Sequence, residues 1–495
     1  MNFIDRVLLN VAPGVAARRF GAQLQAKMVA DQVRKYDGAS GGRRTAGWRG
    51  LATSANAETE RAAGKLRVNA REAERNNPWA RKAIEVVVAN VVGTGIVAQA
   101  RHPNRRRVAA AQDLWKQWAD TTACDFEGRN DLYGLQALAL AAVVRDGEAI
   151  VRFRRVTDGP VPLKIQILET DFLDVLKTQA DNGNRVVQGV ELDAEGREVA
   201  VWLLRAHPGD SSMIAGTSVR VPAGEYVRVY RQDRPGQLRG VSWLAPVLLS
   251  LYDLDEYEDA QLVRQKIAAC FAVFVRDAVS DVSPVARQAT ELPERVEPGI
   301  IETLPAGKDV TFASPPSADG YGDYLRSVLH RIAAGVGVTY EALTGDLSQT
   351  NYSSGRMGWL EFGRNIDGWR WRLLIPQMLT PVWRAFTEAA VLRGVSIGDV
   401  GADWTPPRRE LVSPKDDVPA IIREIRGGLT SWSEAVRERG YDPDALASEI
   451  AADRARFEQM GIVVDSDPVV TTQVGQIQKS TGTGLSGSGG SNVVG

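Results

Sequence analysis

The sequence predicts an α+β fold, on three observations. Apolar residues recur at helical spacing from about Thr53 to Gly134, period-two alternation takes over between Ala149 and Tyr230, and helical patterning returns after Gly240. A chain of 495 residues exceeds the usual size of one core, so two or more packing units are expected.

The elements follow in chain order. Residues 1–54 read as a flexible basic arm, with Arg18, Arg19, Lys27, Arg34, Lys35, Arg43, Arg44 and Arg49 against Asp5, Asp31 and Asp37, and a Gly-Ser-rich end. A charged, periodic helix is expected over 57–74. Asn77-Pro78 then opens another, Asn as cap and Pro in the first turn, which buries Ala83 to Val92 and stops at Gly93-Thr94-Gly95. Two more helices are expected, from Arg106 through Trp115 and Trp118, and from Leu132 to Val144. Strands are expected at 149–154, 163–168 and 226–230, with a hairpin of 186–192 and 198–204 around the Asp193–Gly196 turn.

A long helix should run from Ser242 to about Phe271 on the stripe Val247, Leu251, Leu254, Tyr257, Ala260, Val263, Ile267 and Phe271. Asp253, Asp255, Glu256, Glu258 and Asp259 read as its wet face rather than as a repulsive channel wall or metal site. Proline-broken sequence then carries two short strands, 299–303 and 308–312. A helix over 321–337 should loosen at Gly335 and Gly337 and lead to a polar loop, Leu343 to Gly355. Trp359, Phe362, Ile366, Trp369 and Leu373 next form the seam of a long helix, with a kink or break at Pro376 and Pro381. Ser413-Pro414, a Ser431/Glu434 capping box and Asp442-Pro443 start three further helices, lasting to about Met460. The Thr-Gly-Ser-Val sequence beyond Asp467 reads as a disordered tail.

Composition excludes several classes. Sixty basic residues against 61 acidic ones give a net charge of −1, against the basic excess of a protein that grips a nucleic-acid backbone. Cys124 and Cys270 are the only cysteines, read as buried thiols of a reducing cytosol. Met1–Arg6 lacks the order of a secretory signal, and the apolar run from Ala83 to Ala100 is too short and polar to span a bilayer, so a soluble intracellular protein is expected.

Catalytic motifs fail on inspection. Gly307-Lys308 is followed by Asp309, and Glu302 occupies the upstream glycine position of a phosphate-binding loop. His102, His207 and His330 are unpaired at ligand spacing. A two-metal nuclease could be built from Asp146, Glu148, Glu169 and Asp171, with Lys164 joining if the strands pair suitably; these residues also suit ordinary strand ends. No catalytic, metal-binding or cofactor-binding residue is expected, and no cofactor.

The succession of helix, broken segment, helix, polar loop and kinked helix resembles the portal proteins of tailed bacteriophages, of the lambda type. The signatures are Arg75-Asn-Asn-Pro-Trp-Ala80, Val91-Val-Gly-Thr-Gly-Ile96, Gly240-Val-Ser-Trp-Leu244, Leu343-Thr-Gly-Asp346 and Asn351-Tyr-Ser-Ser354, within a resemblance covering roughly residues 55 to 460. It implies a homo-oligomeric ring, usually of twelve subunits, at one capsid vertex of the virion, assembled in the host cytoplasm. Double-stranded DNA passes its channel without sequence specificity, and terminase, neck or connector proteins, capsid and scaffold proteins are its partners; no membrane is involved.

On this likeness 55–241 and 354–410 form a helical and β wing, 242–275 and 320–338 paired stem helices, and 276–319 a small α/β clip. Residues 339–353 are the tunnel loop, 411–465 a helical crown, and 466–495 the tail. Asp346, Gln349, Thr350 and Asn351 are then expected nearest the DNA, and Arg326, His330 and Arg331 on the channel side of the stem. A conduit needs weak hold on its cargo, which near-neutral charge and a loop of Ser, Thr, Asn and Gln satisfy. The rival readings are a metal-dependent DNA-processing nuclease on the carboxylates above, and a capsid shell or scaffold protein without a channel.

Overall fold

The computed structural model describes Gly50 and residues 52–210, 217–269, 273–277, 308–312, 320–410, 413–462 and Val464. Almost all of the expected basic arm, most of the clip with its expected strand at 299–303, Cys270 and the tail lie outside these residues.

Four helices open the described chain: α1 (Ala55–Asn76), α2 (Pro78–Val91), α3 (Arg105–Ala119) and α4 (Leu132–Asp146). Asn77 caps α2 as expected, its Oδ1 accepting from Ala80 N at 2.9 Å. Gly93 and Gly95, at φ +53° and +115°, turn the chain out of α2. The core is aromatic where α3 meets the C-terminal helices: Trp115 lies 5.4 Å from Trp118, 4.7 Å from Trp383 and 4.9 Å from Phe386. The indole donors of Trp118 and Trp383 reach the main-chain oxygens of Leu163 and Val400, each at 2.8 Å, whereas the buried Trp115 N–H has no partner among the described residues.

The strands make an antiparallel three-stranded sheet, β3 (Leu163–Glu169), β2 (Glu148–Arg155) and β8 (Tyr226–Tyr230). A four-stranded sheet holds β4 (Arg185–Val187), β5 (Val190–Leu192), β6 (Glu198–Leu203) and β7 (Val219–Pro222). Strand β2 is buried on both faces: Ala149, Val151 and Phe153 join the main core, whereas Ile150 joins a second cluster with Leu173, Val201, Val221 and Tyr226. The hairpin across Asp193–Gly196 forms as expected, but the strand expected at 186–192 splits in two. Gln188 and Gly189 adopt φ +51° and +85°, a two-residue reversal between β4 and β5. Strand β1 (Val97–Arg101) had no alternation to reveal it; it pairs with β11 (Gly401–Thr405), some three hundred residues away.

Helix α5 (Leu248–Ala269) is shorter than the expected 242–271, because Trp243 to Val247 form turns and β9 (Val273–Asp277) begins inside the span assigned to the stem. Strand β9 pairs with β10 (Lys308–Phe312), which is found where expected. Val247, Leu251 and Leu254 of the predicted stripe are buried, whereas Val263 is 53% exposed.

After α6 (Tyr321–Val336), residues 340–344 form a short helix, α7 (Tyr340–Thr344). The loop expected over Leu343 to Gly355 therefore contracts to 345–351, since α8 (Tyr352–Trp369) begins early. Of the kink or break expected at Pro376 and Pro381, no break occurs. The chain widens into a π-helical segment, Arg370–Leu379, and continues as α9 (Thr380–Leu392), with Thr380 N bonded to Ile375 O. A wider turn accommodates the donor that Pro376 lacks without ending the helix.

Three small helices close the described chain: α10 (Pro414–Arg426), α11 (Trp432–Arg437) and α12 (Pro443–Met460). They bury little: no residue of α10, Ala435 and Val436 of α11, and Pro443 of α12.

Candidate functional site

The site is a braced polar loop on two paired helices. Gly335 lets α6 approach closely the turn that leads into α5, since a Cβ built there would stand 2.3 Å from Val247 Cγ1. It therefore seats the neighbouring helix rather than loosening its own. Farther along, Tyr257 stacks on Tyr321 at 6.0 Å and leans on Tyr324 at 4.4 Å. Gly337, at φ +91°, ends α6 where the indole of Trp369 crosses it. Asn365 Nδ2 donates to Gly337 O at 3.0 Å, and Trp369 packs against Trp243 at 5.1 Å. Asn77 Nδ2 donates to Asp255 Oδ1 at 2.8 Å, tying the start of α2 to α5. The α5–α6 pair is thus bolted to the long helix at one joint.

The loop is pinned. Thr339 caps α7 and Gly345, at φ +72°, ends it. Asp346 accepts from Ser348 N at 2.9 Å and from the Tyr340 hydroxyl at 3.2 Å. Hydrogen bonds from Ser348, then from Tyr340, with Arg326 nearby, hold the Asp346 carboxyl below its ordinary range. Thr350 Oγ1 donates to Glu341 at 3.3 Å. Asn351 and Ser354 form a reciprocal capping box that starts α8.

Of the four residues expected nearest the DNA, Asp346, Thr350 and Asn351 are thus engaged in holding the loop. Gln349 is exposed and makes no hydrogen bond among the described residues. Beside it stands Leu347, 65% exposed, which its apolar character kept out of the sequence reading. Of the three expected on the stem, His330 stacks on Tyr340 at 4.1 Å and so stitches α6 to α7. Arg326 acts on Asp346, and Arg331 is exposed.

The four carboxylates of the nuclease reading serve as counter-ions. Asp146 bonds Arg71 at 2.8 Å and Arg145 at 3.0 Å. Burial raises its pKa, but these two guanidiniums outweigh it and hold the carboxyl below its usual range. Glu148, 1% exposed, lies between Arg228 at 3.1 Å and Arg239 at 2.8 Å, and accepts from Gly240 N at 3.1 Å. Arg71 also reaches Asp171 at 2.6 Å and Glu169 at 3.2 Å. Glu169, Asp171 and His207 have ligand atoms within 4.8 Å of one another, around charges that Arg71 already meets. Lys164 sits at the far end of β3, opposite Arg154, and pairs with Asp158 at 3.1 Å. It joins none of them.

Two further features bear on chemistry. Burial, then Asp125 and Asp131, push the thiol of buried Cys124 up to about 12, which leaves it unreactive. Among the described residues no helix is long and apolar enough to cross a membrane.

The family profile of phage portal proteins of the lambda family matches residues 41–370. The "Probable portal protein" of Halomonas phage phiHAP-1 is 30% identical over 426 residues, covering 80% of this chain and 81% of that protein. "Portal protein B" of Escherichia phage lambda is 23% identical over 479 residues, covering 83% and 88%. Among solved structures, a chain in the neck of a native gene transfer agent particle, determined with C12 symmetry, is similar at a TM-score of 0.44 and 16% identity, covering 76% of this chain and 94% of that one.

Proposed function

This chain belongs to the lambda family of phage portal proteins, and on that premise we propose that twelve copies close a ring around a DNA channel at one capsid vertex of the virion. The family match, which spans most of the described chain, is the observation that carries the reading. Terminase docks on this ring during packaging and neck proteins afterwards; capsid and scaffold proteins surround it, and it assembles in the host cytoplasm.

In this reading α1 to β8 and α8 to β11 make the wing, α5 and α6 the stem, β9 and β10 belong to the clip, and α10 to α12 form the crown. The tunnel loop is 345–351, with Leu347, Ser348 and Gln349 at its tip facing the DNA. An apolar or neutral tip suits a conduit, since it excludes lasting phosphate contacts. The bracing of Asp346 and Thr350 supports a loop that holds position under a moving load. The clip strands pair only with each other among the described residues, and neighbouring subunits complete them.

Electron microscopy of the purified full chain tests the function. Closed rings with a central hole are expected; monomers with DNA-cutting activity, or shell-like particles, would sink the proposal.

A further inference from the structure

Among the described residues Arg228 and Arg239 end on Glu148 and Arg370 on the main-chain oxygens of Val91 and Asn90, while Arg67 Nη1 and Arg152 Nε are single shielded atoms without a hydrogen bond; only Arg439 leaves two. Arg439 is different. It follows α11 and is half-buried, and its Nε and Nη2 are shielded from solvent with no hydrogen-bond partner. Those two atoms form the edge of a guanidinium that grips a carboxylate by two parallel bonds. Leaving such a charged edge buried and unmet is unfavourable, so a partner is expected from outside the chain.

The surroundings fit an oxyanion. Arg439 lines a cavity of about 740 Å³ together with Arg370, Arg408 and Arg409. Arg409 is taken by Asp367 and by Gly363 O, and Arg370 by carbonyls. Arg408 is exposed and has no partner among the described residues. Glu410, exposed at the rim, bonds none of them. A Cβ built on Gly440 would stand 2.7 Å from Arg408 N, so the turn after α11 packs on the segment after β11.

We propose that Arg439, with Arg408 beside it, turns its covered edge into the cavity to receive a carboxylate side chain from a neighbouring copy of this chain, so that the pocket is complete only in the ring. A side chain fits this cavity, whereas a DNA duplex is far too wide to enter it. Nearly equal numbers of acidic and basic residues, 61 and 60, also leave ample carboxylate for such a contact. The proposal rests on the portal reading for the identity of the donor.

The test compares the wild-type full chain with Arg439→Gln and Arg439→Glu in two measurements. Mass photometry gives the concentration for half-assembly into rings, expected to rise at least tenfold in Arg439→Glu and less in Arg439→Gln. Thermal melting of the dissociated chain should be unchanged or slightly raised in Arg439→Gln, because the monomer offers this guanidinium no partner. A lower melting temperature in the monomer would reveal an internal partner and overturn the proposal, as would wild-type assembly in Arg439→Glu.

Millimolar glutarate should raise the melting temperature of wild-type monomer by about 1–2 °C and leave Arg439→Gln unmoved. A shift with inorganic phosphate and none with glutarate assigns the pocket to phosphate and overturns the carboxylate. A wild-type chain that never closes into rings overturns the portal reading and the neighbouring copy as donor. The glutarate measurement still decides whether Arg439 accepts a carboxylate.

Discussion

Arg370 donates from Nε to the main-chain oxygen of Val91 at 2.7 Å, so the helix that ends at Val91 is closed by the side chain that begins the π segment. Its Nη2 reaches Asn90 O at 2.8 Å. Burial, then the nearby Arg409, lowers its pKa to about 10, which keeps it charged at neutral pH against the negative end of α2. Arg370→Met is expected to lower stability by about 2–3 kcal/mol, from two charge-assisted bonds lost and two carbonyls left buried. Denaturant unfolding at neutral pH measures this; an unchanged midpoint would show the contact to be incidental.

The seat of Val247 on Gly335 predicts a rescue. Gly335→Ala should destabilise by about 1–3 kcal/mol, because the added methyl overlaps Val247 Cγ1. Shortening the opposing residue in Gly335→Ala/Val247→Ala should recover part of that loss. Without recovery, the helices are held apart by something else.

Glu191 makes part of the stability pH-dependent. Arg220 at 2.8 Å, with Asn182 and Asn184, outweighs burial and holds its pKa down to about 2, from 4.5. The folded carboxyl is the stronger acid, so its contribution is full above pH 4.5 and fades as pH falls towards 2. Glu191→Gln should be less stable than wild type at pH 7 and converge with it near pH 2. Parallel acid-unfolding curves would contradict the assignment.

The carboxylates on β2 and its neighbours should behave as structural counter-ions. Glu148→Gln leaves Arg228 and Arg239 buried with a neutral partner and should destabilise by about 3–5 kcal/mol. No DNA cleavage should be there to lose in wild type. Metal-dependent cutting that vanishes in Glu148→Gln, with stability intact, would restore the nuclease reading.

At the loop tip, Leu347→Lys and Gln349→Lys should slow DNA passage or release, more at low salt, by adding a ring of positive charge. Asn351→Lys is a different experiment, since it removes the cap of α8 at a loss of about 1 kcal/mol. Release rates from filled particles at two salt concentrations distinguish these outcomes. Unaltered rates in the two tip variants would remove this loop from the channel.

Much of this protein was determined by local sequence. Asn77-Pro78 announces α2 because a cap and a preset φ act within one turn, and the helical spacing of Trp359 to Trp369 announces α8 because one face must be buried. The family signatures were legible for the same reason, being short runs whose chemistry does not depend on distant partners. Tertiary structure alone decided the rest. Strand β1 exists because β11 pairs with it. Pro376 does not break its helix, because the π turn that holds it is anchored in the core by its own Leu374, Ile375 and Met378. Asp146 and Glu148 read as ordinary strand-end residues, or on the rival reading as catalytic acids, until Arg71, Arg228 and Arg239 are brought to them from elsewhere in the chain and make them counter-ions. Periodicity and capping act over a few residues and can be read in order, whereas a charge takes its meaning from whichever partner the fold delivers.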